Sequence, residues 1–140
     1  MTEIHFYHNA QDKIAAAAQL IGELCREGRR VLVYAPQPEV AAQIDRMLWT
    51  QPAIGFVPHC ALRSPLAAET PVILAASLDD LSYDDVLVNL DGELPIGFSR
   101  FQRLVEIVGT TEQDRAPARE RFKFYRDRGY ALSAQELPTR

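Results

Sequence analysis

Short apolar runs and longer amphipathic segments alternate along the chain, and this pattern predicts strands separated by helices. The short runs contain few polar positions, which is typical of strands that are buried on both faces of a parallel sheet. The predicted strands are Ile4–Tyr7, Val31–Tyr34, Val72–Ala75, Val86–Leu90 and Leu104–Val108.

Apolar residues that recur every three to four positions predict three helices. The first begins after a cap at Asn9 or Asp12 and ends at Gly28, the second ends near Trp49, and the third covers Thr111–Arg128. The stripes of the first two consist of Ile14, Ala17, Ala18, Ile21, Leu24 and Cys25, then Val40, Ile44, Met47 and Leu48.

The order of these elements predicts an α/β fold. We expect a single three-layer, Rossmann-like domain over residues 1–140, with a mainly parallel sheet and helices on both faces. The proline-rich segment Pro52–Glu69 is predicted to be an irregular connection, and the residues after Gly129 a short polar tail.

Composition narrows the possible classes of protein. The 140 residues include 47% hydrophobic and 24% charged residues, as in an ordinary globular protein. The net charge of -4 disfavours a protein that coats nucleic acid. No apolar run is long enough to cross a membrane, the start lacks the pattern of a signal peptide, and two cysteines form no disulfide framework. These features indicate a cytoplasmic protein.

Nucleotide and metal sites have no clear sequence support. The chain contains neither G-x-G-x-x-G nor a P-loop, and no glycine follows the first strand, so no cofactor is predicted. His5 and His8 flank that strand without paired ligands on a helix, and we predict no metal site. His59 beside Cys60 leaves a small thiol hydrolase as one alternative function, although adjacent side chains seldom point at each other.

The last predicted helix carries the strongest signal. Residues Arg115–Arg128 hold six basic and two acidic residues, a net charge of +4, which leaves −8 for the rest of the chain. Arg115, Arg119, Phe122 and Arg126 share one helical face.

Three interpretations of this face are open. Arginines pair with carboxylates and an aromatic ring can wall an apolar pocket, which suits an acidic peptide that ends in a bulky apolar residue. The same face could bind single-stranded DNA directly through stacking and phosphate contacts. It could also be a solvated surface, with Phe122 and Tyr125 in the core.

Three motifs resemble the chi subunit family of bacterial DNA polymerase III. They are R-E-R-F-K-F-Y-R-D-R-G-Y at Arg119–Tyr130, G-R-R-V-L-V at Gly28–Val33, and L-W-T-Q-P-A-I-G-F-V-P-H at Leu48–His59. They follow an N-terminal strand and an alanine-rich helix in the family's order, over almost the whole chain.

The resemblance implies a non-catalytic adaptor of the clamp-loader assembly in DNA replication. Such subunits bind the acidic C-terminal tail of single-stranded-DNA-binding protein and so reach DNA indirectly, without a cofactor or a membrane. By motif match the tail site falls on Arg115, Arg119, Phe122 and Lys123, and Arg126 extends the same face.

The family's second surface holds the psi subunit, which links chi to the loader. Trp49 and Phe56 match the tryptophan and the phenylalanine of that surface. A tryptophan just before a proline-rich segment is also a credible interface anchor.

Overall fold

The computed structural model describes residues 2–50, 59–61, 72–76, 84–95 and 97–137. These residues form seven strands, three α-helices and one turn of 3-10 helix at Phe98–Arg100. In chain order the strands and α-helices are β1 (Glu3–Ala10), α1 (Lys13–Arg26), β2 (Val31–Tyr34), α2 (Pro38–Thr50), β3 (His59–Ala61), β4 (Val72–Ala75), β5 (Val86–Asn89), β6 (Arg103–Gly109), α3 (Glu112–Asp127) and β7 (Ala131–Glu136).

All seven strands belong to one parallel sheet, in the order β3-β4-β2-β5-β6-β1-β7. The prediction of an α/β fold with a parallel sheet is confirmed. Each of the five predicted strands is present, and β1 and β6 extend beyond their predicted bounds.

Two strands contradict the sequence prediction. Strand β3 lies within the segment Pro52–Glu69 that was predicted to be irregular, and β7 lies where a polar tail was predicted. Both strands are at an edge of the sheet. Strand β3 is only three residues long, and most of β7 is exposed, so neither has the apolar run that a doubly buried strand needs.

Each face of the sheet carries its own hydrophobic core, because successive strand residues point to opposite faces. On one face, Val31, Val33 and Val88 pack against the buried stripes of α1 and α2. On the other face, Leu32 and Leu104 pack with residues of α3. Helices therefore cover both faces, as expected for three layers.

The helix ends have local causes. Asp12 caps α1, since its carboxylate accepts a hydrogen bond of 3.1 Å from the Ala15 amide. Gly28 follows α1 with φ of +81°, a left-handed conformation that favours glycine. Pro38 begins α2, where its missing N–H leaves no helical hydrogen bond unmade.

Helix α3 connects β6 to β7, and these two strands flank β1. Because β6, β1 and β7 are parallel, the helix must return in the opposite direction across β1. The start of α3 therefore lies near the carboxyl ends of the strands. No helix in the described part of the chain is long and apolar enough to span a membrane.

Asp85 ties together the amino ends of neighbouring strands. Its carboxylate accepts hydrogen bonds from the Arg29 side chain at 2.8 Å and from the Arg30 amide at 2.9 Å. Its carbonyl accepts from the Arg103 amide at the start of β6. The hydrogen bond from Arg29 is the main cause that holds the pKa of Asp85 below its ordinary value of 3.8.

We expect the stability conferred by Asp85 to depend on pH. Its folded-state pKa is depressed, so its contribution is present above about pH 4 and is lost as the pH falls through the folded pKa. Asp85→Asn should lower the free energy of unfolding by about 1–2 kcal/mol at neutral pH. Urea denaturation of both proteins from pH 7 downward checks this, and a difference that stays constant at strongly acidic pH would contradict it.

Candidate functional site

Helix α3 presents one aromatic face to the sheet. The ring of Phe122 lies 5.2 Å from that of Phe6 on β1, in an edge-to-face arrangement, and Tyr125 packs edge-to-face on Phe98 at the same distance. Tyr125 is completely buried, whereas Phe122 is half-buried. Phe122 therefore belongs both to the core and to the surface beside it.

A buried polar cluster lies beneath the same helix. Glu106 on β6 is fully buried and accepts three hydrogen bonds: from Arg121 Nε at 3.1 Å, from the Tyr125 hydroxyl at 2.7 Å and from Asn89 Nδ2 at 3.0 Å. Arg121 also donates to the Gly92 carbonyl at 2.6 Å. The cluster thus joins α3 to two strands and to the loop after β5.

Burial shapes the protonation of this cluster. Desolvation raises the pKa of the Glu106 carboxyl, and the charge of Arg121 together with the donated hydrogen bonds opposes that rise. Burial and the adjacent Glu106 raise the pKa of Tyr125, so its hydroxyl remains a donor. The interaction of Arg121 with Glu106 makes this arginine part of the core.

The position of Arg121 corrects the charge count made from the sequence. Arg121 is only 5% exposed, so one of the six basic residues of Arg115–Arg128 does not contribute to the surface of the helix. A further one, Arg128, stacks on the Phe124 ring with its guanidinium carbon 4.6 Å from the ring centre. Arg128 and the other four basic residues remain exposed, so the positive surface extends along the whole helix and lacks only Arg121.

A groove of about 250 Å³ separates the start of α3 from the sheet, and we call it the α3 groove. Its floor and walls are mainly apolar, with two arginines from the helix and one histidine from β1. The helix contributes Arg115, Ala118, Arg119 and Phe122, and the strands contribute Phe6, His8, Val108 and Ala134.

The two arginines of the α3 groove differ in their partners. Arg119 Nη2 lies 3.1 Å and 2.6 Å from the two carboxylate oxygens of Glu112, and both side chains are about two-thirds exposed. The hydrogen bond from Arg119 lowers the pKa of Glu112. Within the described part of the chain, Arg115 forms no ion pair and is exposed.

The structure brings together three of the five residues predicted for peptide binding, Arg115, Arg119 and Phe122. Lys123 and Arg126 are exposed and are not among the described residues that line the groove. Arg126 lies farther along the helix, 3.4 Å from the Asp127 carboxylate. Their contribution to binding stays a prediction.

The other sequence candidates fall largely outside what the structure describes. Trp49 belongs to α2 by its backbone, but its side chain and the whole of Phe56 lie outside the described residues. The backbones of His59 and Cys60 belong to β3, and their side chains are likewise not described. Among the described side chains, no three potential metal ligands cluster together.

Three functional candidates were missed or misplaced by sequence reasoning. His8 was considered only as a metal ligand, Glu112 was not singled out, and Glu106 was placed within an apolar strand without comment. The one available signal was the carboxylate of Glu106 in an otherwise apolar run, because a charge there must find a partner. Glu106 meets Arg121, and His8 enters the groove, only through the packing of α3 over the sheet, whereas Glu112 meets Arg119 two helical turns later.

The chain matches the family model described as "DNA polymerase III chi subunit, HolC" over residues 1–133. It is 30% identical over 142 residues to the DNA polymerase III subunit chi of Pseudomonas aeruginosa, covering 99% of both chains. It is 31% identical over 127 residues to the subunit of the same name from Escherichia coli, covering 87% of this chain and 86% of that one.

We expect Glu106→Gln to destabilise the fold strongly. The substitution keeps the size of the side chain but leaves the buried charge of Arg121 unpaired, which should lower the free energy of unfolding by about 3 kcal/mol. Arg126→Gln is the control, since it alters an exposed ion pair and should change stability by less than about 0.5 kcal/mol. Equal effects of the two substitutions in urea denaturation would contradict the role of the buried cluster.

Proposed function

We propose that this chain, which belongs to the DNA polymerase III chi subunit family, is a non-catalytic accessory subunit that binds the acidic C-terminal tail of single-stranded-DNA-binding protein in the α3 groove. In this role it connects the clamp-loader assembly to coated template DNA in the cytoplasm. The observation that carries the proposal is a groove with an apolar floor and a cationic rim on one helix.

The α3 groove has the two chemistries that such a tail requires. Phe6 and Phe122 form an aromatic wall for a bulky apolar side chain. Arg115 lies two helical turns before Phe122, about 10 Å away along the helix axis, and Arg119 lies between them. A terminal carboxylate and nearby acidic side chains can therefore pair with guanidinium groups while the apolar side chain is buried.

The charge distribution favours a protein tail over DNA as the direct ligand. The net charge of the whole chain is -4, and one arginine of the basic helix is buried against Glu106. Extended phosphate backbones need long positive surfaces, whereas the α3 groove presents a short one. Lys123 and Arg126 extend the positive face beyond the groove and are proposed as outer contacts for acidic residues of the tail.

The proposal includes a second partner. We propose that Trp49 and Phe56 contribute to the surface that binds the psi subunit, which links this chain to the clamp loader. The support is the motif match and the family membership. The α3 groove lies on one face of the sheet, whereas α2 packs against the opposite face, so both partners can bind at once.

The test of tail binding uses a labelled peptide that carries the tail, with and without its last apolar residue. Arg119→Ala should weaken binding by at least about tenfold, because a hydrogen bond between charged groups contributes roughly 1.5–3 kcal/mol. Phe122→Ala should weaken it by a similar factor. Fluorescence anisotropy at low and moderate salt measures both effects, and binding should weaken as salt rises.

The control is Arg128→Ala, which removes the same charge from the residue that caps the C-terminal end of α3, outside the groove. Equal affinity for the two peptides, or unchanged binding by Arg119→Ala, would overturn the groove as the tail site. Tight binding of a naked single-stranded oligonucleotide that depends on Arg119 would favour direct DNA binding instead.

We expect Glu112→Gln to strengthen tail binding by about two- to fivefold. Glu112 holds the guanidinium of Arg119 in the free protein, so a carboxylate of the tail must compete with it. Exposed ion pairs contribute only about 0.2–1 kcal/mol, which sets the size of the effect. Glu120→Gln is the matched control, since it removes an equal charge from the same helix without breaking this pair. Equal gains in both variants would indicate a general charge effect only.

We expect Trp49→Ala to abolish or strongly reduce capture of the psi subunit while tail binding is retained. Aromatic anchors contribute about 2 kcal/mol or more at interfaces. Co-purification of psi with the tagged chain measures this effect. Loss of both psi and the tail peptide in the variant would instead indicate a folding defect.

A further inference from the structure

His8 lies in the α3 groove on the side of the sheet and has no role in the function proposed so far. It is half-buried and lines the groove together with Phe6, two residues earlier on β1. Alternate residues of a strand share a face, so both side chains point toward α3. His5, at an odd position of the same strand, points to the opposite face, where Tyr7 lies.

Position along the strand places His8 at the cationic end of the groove. His8 is about 7 Å beyond Phe6 toward the carboxyl end of β1. Helix α3 runs in the opposite direction, so Arg115 lies toward that same end relative to Phe122. The apolar contact of Phe6 with Phe122 marks the other end of the groove. His8 therefore faces the region where acidic groups of a ligand would lie.

The charged groups around His8 come from three elements. Helix α3 supplies the guanidinium groups of Arg115 and Arg119, and the carboxylate of Glu112 pairs with Arg119. Strand β7 supplies Glu136, which is in register with His8 and accepts a hydrogen bond of 3.3 Å from the side-chain amide of Asn9. Nearby, Lys13 at the start of α1 forms an ion pair of 3.0 Å with Asp114 in α3.

We infer that His8 is a further binding residue of the α3 groove, whose imidazolium pairs with a carboxylate of the acidic tail from the side of the sheet. The inference rests on the function proposed above and adds a dependence on pH to it. A carboxylate bound beside an imidazole favours its charged form, so tail binding should take up a proton at His8.

The test measures affinity for the labelled tail peptide at about pH 5.5 and about pH 8, the range in which histidine changes its charge. The carboxyl groups of the peptide, with ordinary pKa values near 4, are ionised at both pH values. The proteins compared are the unaltered chain, His8→Gln and His5→Gln. His5→Gln is the matched control, because it removes a histidine from the same strand on the opposite face.

The unaltered chain and His5→Gln should bind about two- to fivefold more tightly at the lower pH. His8→Gln should bind with the same affinity at both pH values. That affinity should be close to the affinity of the unaltered chain at the higher pH. A pH dependence that persists in His8→Gln, or none in the unaltered chain, would overturn the inference while leaving the proposed function intact. Absence of binding by every protein at both pH values would overturn the proposed function itself. Circular dichroism at each pH verifies that all three proteins are folded.

Discussion

The buried carboxylate of Glu106 is the constraint on which the functional half of the structure depends. It lies on β6, near the middle of the sheet, and its partners come from β5 and from two successive turns of α3. A buried carboxylate requires compensation of its charge, so the helix can pack only where Arg121 and Tyr125 reach it. This requirement fixes the helix along β1 and determines which of its faces looks outward.

The orientation of α3 separates the functions of its arginines. Arg121 compensates the buried charge of Glu106, whereas Arg115 and Arg119 lie on another face of the helix and border the groove. The aromatic contact of Phe122 with Phe6 closes the opposite end of that groove. The basic residues of this helix therefore have two different roles. Arg121 is buried and pairs with Glu106, whereas the others form an exposed cationic surface. Outside Arg115–Arg128 the chain carries a net charge of −8, which suits a peptide ligand better than extended contact with a nucleic-acid strand.

The predictable parts of the fold are those with local signals. Strands such as Val31–Tyr34 are buried on both faces and therefore produce apolar runs, and the stripes of α1 and α2 follow from the helical repeat. The edge strands β3 and β7 were not predicted, because one is very short and the other is mainly exposed. Backbone pairing with β1 places β7 in the sheet, and this pairing leaves no mark in the residue pattern of Ala131–Glu136.

The sequence by itself determined the order of strands and helices, the basic character of the last helix, and a family resemblance that the comparisons confirmed. Arg115, Arg119 and Phe122 were predicted together because helical periodicity places them on one face. Only the tertiary structure decided that Arg121 is buried, that Glu112 pairs with Arg119, and that His8 lines the α3 groove opposite the helix. The physical reason is that burial and the lining of a groove depend on how α3 packs over β1, and these two elements are about a hundred residues apart in the chain.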